Sequence, residues 1–350
     1  MNRRFPAPAR QPATAPPPPT ILPGPLAAVF LCFATITPIK DWNQNAWWVC
    51  WGLIALWLVR GAQLTRNIWL PLSLVGLSGW LGISVLWSID PAKSMRELSF
   101  QFAYILLGML ISVGRDHRQL LRLFVRTGVW FIAINIVFAF LSPANGRFSE
   151  GDHVGDYKGM FVDKNQFGFF CTVVALSSLV RALTADEPRC RQACWPGVGI
   201  AVLGVWLSNS ATALIMTIAC GMLTLLGVGL ARGRRPRTLA ALLGAVVVWV
   251  LLTNSDRILA TLDRSSNLTG RTEIWQVVQR AIAERPITGF GWHALWLDTD
   301  PTSIRFWTYN YDIPFYHAHN GYLELAVELG LVGAALGWGF VVALLLRSLR

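Results

Sequence analysis

Along this chain the apolar residues come in long blocks rather than in alternation, at roughly 24–39, 45–59, 68–87, 98–114, 120–142, 164–183, 195–207, 211–230, 238–253 and 320–346. A hydrocarbon core about 30 Å thick asks for helices of about 17–25 such residues. The alternating strands of about ten residues that build a membrane barrel are absent. The pattern predicts an all-α integral membrane protein of about ten transmembrane helices. The run 195–230 is broken only by Ser208, Asn209 and Ser210. As one helix it would be about 52 Å long, more than one crossing can absorb by tilting. It is therefore read as two helices joined by a tight Ser-Asn-Ser turn.

Polar residues set the direction of the crossings. With the N-terminus cytoplasmic, Arg60 and Arg66, Arg115 to Arg126, Arg181 to Arg191, and Arg232 to Arg237 all fall in inward segments, as the positive-inside rule requires. Fusing the two helices of 195–230 would turn the Arg232–Arg237 cluster outward. Of the acidic residues only Asp116, Asp186 and Glu187 face inward, so the outer side is chemically richer. Residues 1–22, with prolines at 16–19, read as a cytoplasmic tail of disordered or polyproline character, and 23–350 as the membrane domain.

Composition changes this picture little. The chain is 54% hydrophobic and 14% charged, and its net charge of +11 is explained by the orienting loops. No nucleic-acid-binding motif accompanies that charge, so nucleic acid is not a predicted partner. Cys190 and Cys194 share an inward loop, and two ligands do not make a zinc site; they and Cys32, Cys50, Cys171 and Cys220 read as free thiols.

One outer loop, 254–318, is far longer than a connection needs, and long loops are where sites are built. Within it, 271–285 predicts a short amphipathic helix: Ile274, Trp275, Val277, Val278, Ala281 and Ile282 recur at helical spacing, and Pro286 ends it. Such a helix is expected to lie on the membrane surface. The segment 290–316 then carries Phe290, Trp292, Trp296, Phe306, Trp307, Tyr309, Tyr311, Phe315 and Tyr316. These rings suit sugar faces, and Trp292 is the candidate sugar-stacking ring. The plainer reading is that they pack the loop against the bilayer. The loop closes on His317-Ala318-His319-Asn320, and the last span carries Glu324 and Glu328 one turn apart. Intramembrane carboxylates are functional candidates by default.

These residues, in this order, resemble the O-antigen ligase and Wzy-type polysaccharide polymerase superfamily. HAHNGYLELAVELGLVG matches its pattern of His-Asn, nine residues, Gly, two residues, Gly, through His319, Asn320, Gly330 and Gly333. LTGRTEIWQVVQRAIAERPITGFGW looks like its Gly-Arg-x-x-Ile-Trp helix followed by its Pro-x-x-Gly-x-Gly turn. Asp163-Lys164-Asn165 and Ser208-Asn209-Ser210-Ala211 are shorter matches. The resemblance covers roughly 150–335 and is nearest to exopolysaccharide polymerases; members commonly carry more spans than this chain.

The resemblance implies an inner-membrane glycosyltransferase with a periplasmic site. Its donor would be an undecaprenyl-pyrophosphate-linked oligosaccharide and its acceptor a glycan or a lipid. A chain-length regulator or flippase would be a partner, besides membrane lipids. Transfer would proceed with inversion, without metal or cofactor. His319 is the candidate base, since an imidazole titrates near neutral pH. Arg271 is the candidate cation for the leaving pyrophosphate, being planar and permanently charged. Lys164, Asn165, Arg280, Arg285, Arg305, His317, Asn320 and Glu324 complete the expected substrate-binding set, with Arg147 and Lys158 in reserve. The alternatives are ligation of a finished glycan to lipid A-core, and transport of a lipid-linked glycan.

Overall fold

The computed structural model describes Trp51 and residues 72–112, 116–148, 154–232, 271–296 and 317–348. The expected spans at 24–39 and 238–253, all of 45–59 except Trp51, the N-terminal tail, and loop residues 254–270 and 297–316 lie outside the described residues. Arg305 and the six rings from Phe306 to Tyr316 go with them.

The described chain is helical: α1 Leu72–Ser84, extended by a 3-10 turn over Val85–Trp87; α2 Pro91–Ser112; α3 His117–Leu141; α4 Pro143–Gly146; α5 Lys164–Thr184; α6 Pro188–Gln192; α7 Trp195–Leu207; α8 Ala211–Arg232; α9 Arg271–Glu284; and α10 Gly321–Ser348. Four of these, α3, α5, α8 and α10, are long and apolar enough to cross a bilayer, and the protein is a multi-pass membrane protein. Ten such helices were expected. Besides the three spans beyond the described residues, α1 and α7 have 13 residues each, about 20 Å of helix against a core of about 30 Å. α2 starts seven residues before the expected 98 and takes Lys93, Arg96 and Glu97 into its first two turns. The division of 195–230 stands, with α7 ending at Leu207 and α8 beginning at Ala211.

Local chemistry explains the ends. Asp116 caps α3 by accepting from the Gln119 backbone N–H at 2.7 Å, and the Gln119 side chain returns a bond to the Asp116 N–H, a reciprocal capping box. Pro143 stops the helix two residues past Leu141. Asp90 caps α2 through the Lys93 N–H at 2.9 Å.

Packing falls into two clusters. In the first, α5 packs against α7, α8 and α3 around Phe131, Ile132, Phe161, Phe167, Cys171 and Val174. Small residues let these helices approach: a Cβ on Gly204 would sit 2.5 Å from Cys171 Sγ.

The second cluster joins α1, α9, α10 and the 285–296 loop around Val277, Val278, Phe290, Leu295, Trp296 and Val327. Here the apolar stripe of α9 faces protein. Ile274, Val277, Val278 and Ala281 are buried against α10 and the loop that follows α9, where a membrane-surface position was expected. An amphipathic repeat fixes which face is buried and leaves open whether lipid or protein covers it.

α10 is broken at Gly330, whose φ of 70° is outside the helical range. The Leu331 N–H, which would bond to Val327 in a continuous helix, donates to the Pro286 carbonyl at 2.8 Å. The three carbonyls freed before the break are each satisfied. Val327 O accepts from Phe290 N–H at 3.0 Å, Glu328 O from Gly291 N–H at 2.8 Å, and Leu329 O from Trp80 Nε1 at 2.8 Å. In an apolar layer an unpaired carbonyl costs several kcal/mol, so the break and the loop require each other. A side chain at 330 is excluded twice, by its φ and by the Ile287 carbonyl oxygen 2.0 Å from where a Cβ would stand.

Gly330→Ala should therefore lower stability by about 1–3 kcal/mol or more. Gly321→Ala, where a Cβ meets nothing within 4 Å, should change it by less than about 0.5 kcal/mol. Thermal unfolding of both variants, followed by tryptophan fluorescence in one detergent, checks the difference.

Candidate functional site

The expected site residues divide between the two clusters. In the first, the two short motifs meet. Lys164 opens α5, and its side chain is only 2% exposed. Its Nζ lies 2.5 Å from Asp156 Oδ2, and Asp156 Oδ1 accepts from Asn209 Nδ2 at 2.9 Å. Asn209 sits in the α7–α8 turn with a φ of 47°, a left-handed conformation that Asn tolerates better than most residues. Ser210 Oγ donates to Asn165 Oδ1 at 2.7 Å, and Asn165 Nδ2 donates to Asp163 at 3.1 Å. The Lys-Asn and Ser-Asn-Ser segments are thus one network.

Lys164, expected to bind substrate, is here the buried half of an ion pair. Arg147 donates to the Ala139 carbonyl at 3.0 Å and lies over the Tyr157 ring; Lys158 lies over Phe148. Asp156, which the sequence reading missed, organises the network. Its only sequence signal is a carboxylate eight residues before a lysine at a helix start.

In the second cluster the two long motifs meet through the bonds that close the α10 break. Ahead of α10, Asn320 caps the helix, its Oδ1 accepting from the Tyr322 N–H at 3.0 Å. His319 precedes it, exposed, with a φ of 52°. The His319 N–H donates to His317 Nδ1 at 3.3 Å, and the two imidazoles lie 3.9 Å apart between ring centroids. That bond requires His317 Nδ1 to be unprotonated. Glu324 anchors the turn from below: one carboxylate oxygen accepts from Trp296 Nε1 and the other from the Ala318 N–H at 2.5 Å. Trp275 Nε1 adds a bond to the Ala318 carbonyl at 3.0 Å. Expected among the substrate ligands, Glu324 spends both oxygens on holding the His-Ala-His turn.

Arg271 opens α9, and its side chain lies outside the described residues. Arg280 and Arg285 are exposed, and the Arg285 guanidinium lies over the Phe290 ring at 4.8 Å. Phe290 and Trp296 are buried in the cluster core, so for these two rings packing wins over sugar stacking. Trp292 is half-buried, with its indole N–H facing no partner.

Three residues enter that sequence reasoning did not single out. Lys93 Nζ donates to the Trp296 carbonyl at 2.8 Å. Ser94 Oγ donates to the Trp292 carbonyl at 2.6 Å and is 2.7 Å from Ser88 Oγ. His293 stands edge-on to Trp292, its Nδ1 3.8 Å from a carboxylate oxygen of Glu328. Glu328 is fully buried, beside Glu324, and neither of its oxygens has a hydrogen-bond partner. Nothing in the spacing of Lys93 or Ser94 marks them, because they belong to a different helix some 200 positions away.

Burial pushes the His293 imidazole below its usual 6.5, with Lys93 acting in the same direction and Glu97 and Glu324 opposing. The turn thus presents an exposed imidazole pair backed by the half-buried Glu324 carboxylate and the Trp275 and Trp296 indoles. That suits proton transfer to or from a hydroxyl beside an anionic group. Among the described residues no group of three or more His, Cys, Asp or Glu gathers as metal ligands would.

Comparison with known proteins covers the same ground. Residues 196–337, from α7 into α10, match the family model described as O-Antigen ligase. Over 298 residues, 77% of this chain and 67% of the other, the sequence is 25% identical to "Exopolysaccharide production protein ExoQ" of Rhizobium meliloti (strain 1021).

Two outcomes are expected here. Lys164→Met should cost about 1–3 kcal/mol by removing the cation from the Asp156 carboxylate, which keeps its bond from Asn209; Asp156→Asn combined with it should cost less than the two single changes added together, as a double-mutant cycle on thermal unfolding would record. For His293, the unfolded chain takes up its proton at higher pH than the folded one. Its stabilising contribution is therefore complete above about 6.5 and falls as pH drops below that value. His293→Gln should flatten the decline in melting temperature between about pH 7 and 5.5 relative to wild type.

Proposed function

Since the chain belongs to the O-antigen ligase superfamily, we propose that it is a membrane glycosyltransferase that polymerises a surface polysaccharide from oligosaccharide units carried on undecaprenyl pyrophosphate. In this reading the chain crosses the inner membrane several times, with a cytoplasmic N-terminus and the start of α10 on the periplasmic side. The observation that carries the proposal is the setting of His319: exposed, held in a strained turn by Asn320 and Glu324, and next to the interlocked loop and helix.

The chemistry runs in one step. The His319 imidazole takes the proton of an acceptor sugar hydroxyl as that oxygen bonds to the anomeric carbon of the donor. The bond from that carbon to the pyrophosphate oxygen breaks on the opposite face, with inversion, and the electron pair leaves on the lipid pyrophosphate. Arg271, with Arg280, Arg285 and Arg305 as further cations, answers the charge that develops there. Guanidinium groups serve this purpose without a metal, as planar donors to phosphate oxygens. Glu324 and Asn320 are positioning residues, and His317 supports His319 through its Nδ1. Trp292, half-buried where Phe290 and Trp296 are buried, would present a ring face to a sugar.

The relative's name speaks for exopolysaccharide as the product. Transfer of a finished glycan to lipid A-core is the second reading, favoured by the description of the family model. Both use the same donor, so only the acceptor separates them.

Complementation of a strain lacking the native gene tests this, with wild type and His319→Ala at matched membrane levels. Glycan output should fall at least about 100-fold, with undecaprenyl-linked single repeats accumulating. Long chains stranded on the lipid carrier would establish the ligase reading instead. Output equal to wild type would sink the assignment of His319. Glu324→Ala should lower output about tenfold or more through misplacement of the turn, and Glu324→Gln, which keeps one acceptor oxygen, should recover part of it.

A further inference from the structure

The far end of the first cluster holds a second feature. Arg181, in the last turn of α5, is about 26 Å along that helix from Lys164. There α3, α5, α6 and α7 enclose a cavity of about 480 Å³, open to the surroundings. Its polar side is three guanidinium groups, Arg122, Arg126 and Arg181, and its apolar wall includes Val129, Trp130 and Ile200.

Among the described residues none of these three arginines forms an ion pair. Asp186 is paired with Arg118, outside the cavity lining, and Glu187 accepts from the thiol of Cys190, a lining residue, at 3.5 Å, so neither carboxylate pairs with the three arginines. Three like charges lining one concave site repel one another, the more so next to a low-dielectric layer. Burying an anion there relieves that repulsion. Arg126 lies one turn past Arg122, about 6 Å deeper along α3, on the same helix face. The wall continues the site into the apolar layer: Trp130, one further turn along, is 70% exposed. A free phosphate would satisfy the guanidinium groups and leave that wall empty. A lipid fills both.

We infer that this cavity binds an anionic phospholipid, with its phosphate among Arg122, Arg126 and Arg181 and an acyl chain laid along Trp130. Basic pockets between membrane helices are suited to such headgroups, and guanidinium pairs well with phosphate. The volume falls in the range of small-molecule sites, which separates this cavity from arginines that merely reach the headgroup layer. The inference stands apart from the proposed transferase activity and needs no assay of it.

The test uses the full-length protein in nanodiscs of mixed phosphatidylglycerol and phosphatidylcholine, with retained lipid read by native mass spectrometry after extraction. Wild type should retain phosphatidylglycerol over phosphatidylcholine by about tenfold or more, and Arg122→Gln/Arg126→Gln/Arg181→Gln should lose that preference. Ala193→Trp keeps all three charges and fills the cavity from a position on its lining; it should lose the preference too. Arg189→Gln, an exposed basic residue of α6 outside the cavity lining, should keep it. Retention of the full preference by Ala193→Trp would mean diffuse charge and overturn the site, as would a wild type without preference. Displacement of the retained lipid by millimolar inorganic phosphate alone would overturn the lipid assignment.

Discussion

The opening of the α10 hydrogen-bond ladder at Gly330 is the constraint from which the second cluster follows. A helix in an apolar layer normally satisfies its own backbone. Here three consecutive carbonyls, of Val327, Glu328 and Leu329, are released, and they find donors on Phe290, Gly291 and Trp80. Trp80 comes from α1, and the first two of those donors can arrive only if the chain after α9 turns tightly. Gly289 and Gly291 take positive φ to allow it, with a Cβ at either position falling about 2.5 Å from neighbouring atoms. Pro286 supplies the carbonyl that receives Leu331. The Pro-x-x-Gly-x-Gly turn and the first glycine of the last motif are two sides of one joint, which is the physical reason they occur together.

Once the joint is made, it carries α9 with it. The apolar stripe of α9 reaches α10, Trp275 reaches the Ala318 carbonyl, and Trp296 reaches Glu324. The His-Ala-His turn is thus fixed from three directions while its imidazoles stay outside. Such rigid support is what the proposed role of His319 as a base would demand, since small misplacements cost large factors in rate.

The helical pattern was legible because apolar periodicity is local. The buried face of α9 followed from it, and the α7–α8 division at Ser208–Ser210 from the length of the apolar run and the side on which it places the Arg232–Arg237 cluster. What lay beyond reach was anything decided by a partner far along the chain. Glu324 reads as a carboxylate facing substrate until Trp296 and the Ala318 N–H are seen to occupy both of its oxygens. Lys164 reads as a free cation until Asp156 is found across from it. Lys93 and Ser94 precede the expected span at 98–114 and carry no signal of their own, whereas α2 begins at Pro91 and uses its first turn to hold the Trp292 and Trp296 carbonyls. Each of these polar groups was identified correctly as unusual for its surroundings, or passed over as ordinary, on grounds that only the fold could decide.

The two clusters treat buried charge in opposite ways. Around Lys164 it is neutralised and hydrogen-bonded, Asp156 being shared between Lys164 and Asn209. Such a pair fixes geometry at little net gain in stability, since desolvation offsets most of the attraction. Around Glu328 it is left open: a fully buried carboxyl without a hydrogen-bond partner, with His293 Nδ1 at 3.8 Å and Glu324 above it. An uncompensated group of that kind persists only where the surrounding structure over-determines it, and here the Glu328 backbone is pinned by Gly291 while its side chain is enclosed. The first cluster thus pairs its carboxylate with a cation, and the second encloses one without a hydrogen-bond partner. Of the two carboxyls behind the His-Ala-His turn, Glu324 is committed to Trp296 and the Ala318 N–H, and Glu328 is the one whose oxygens no structural bond uses.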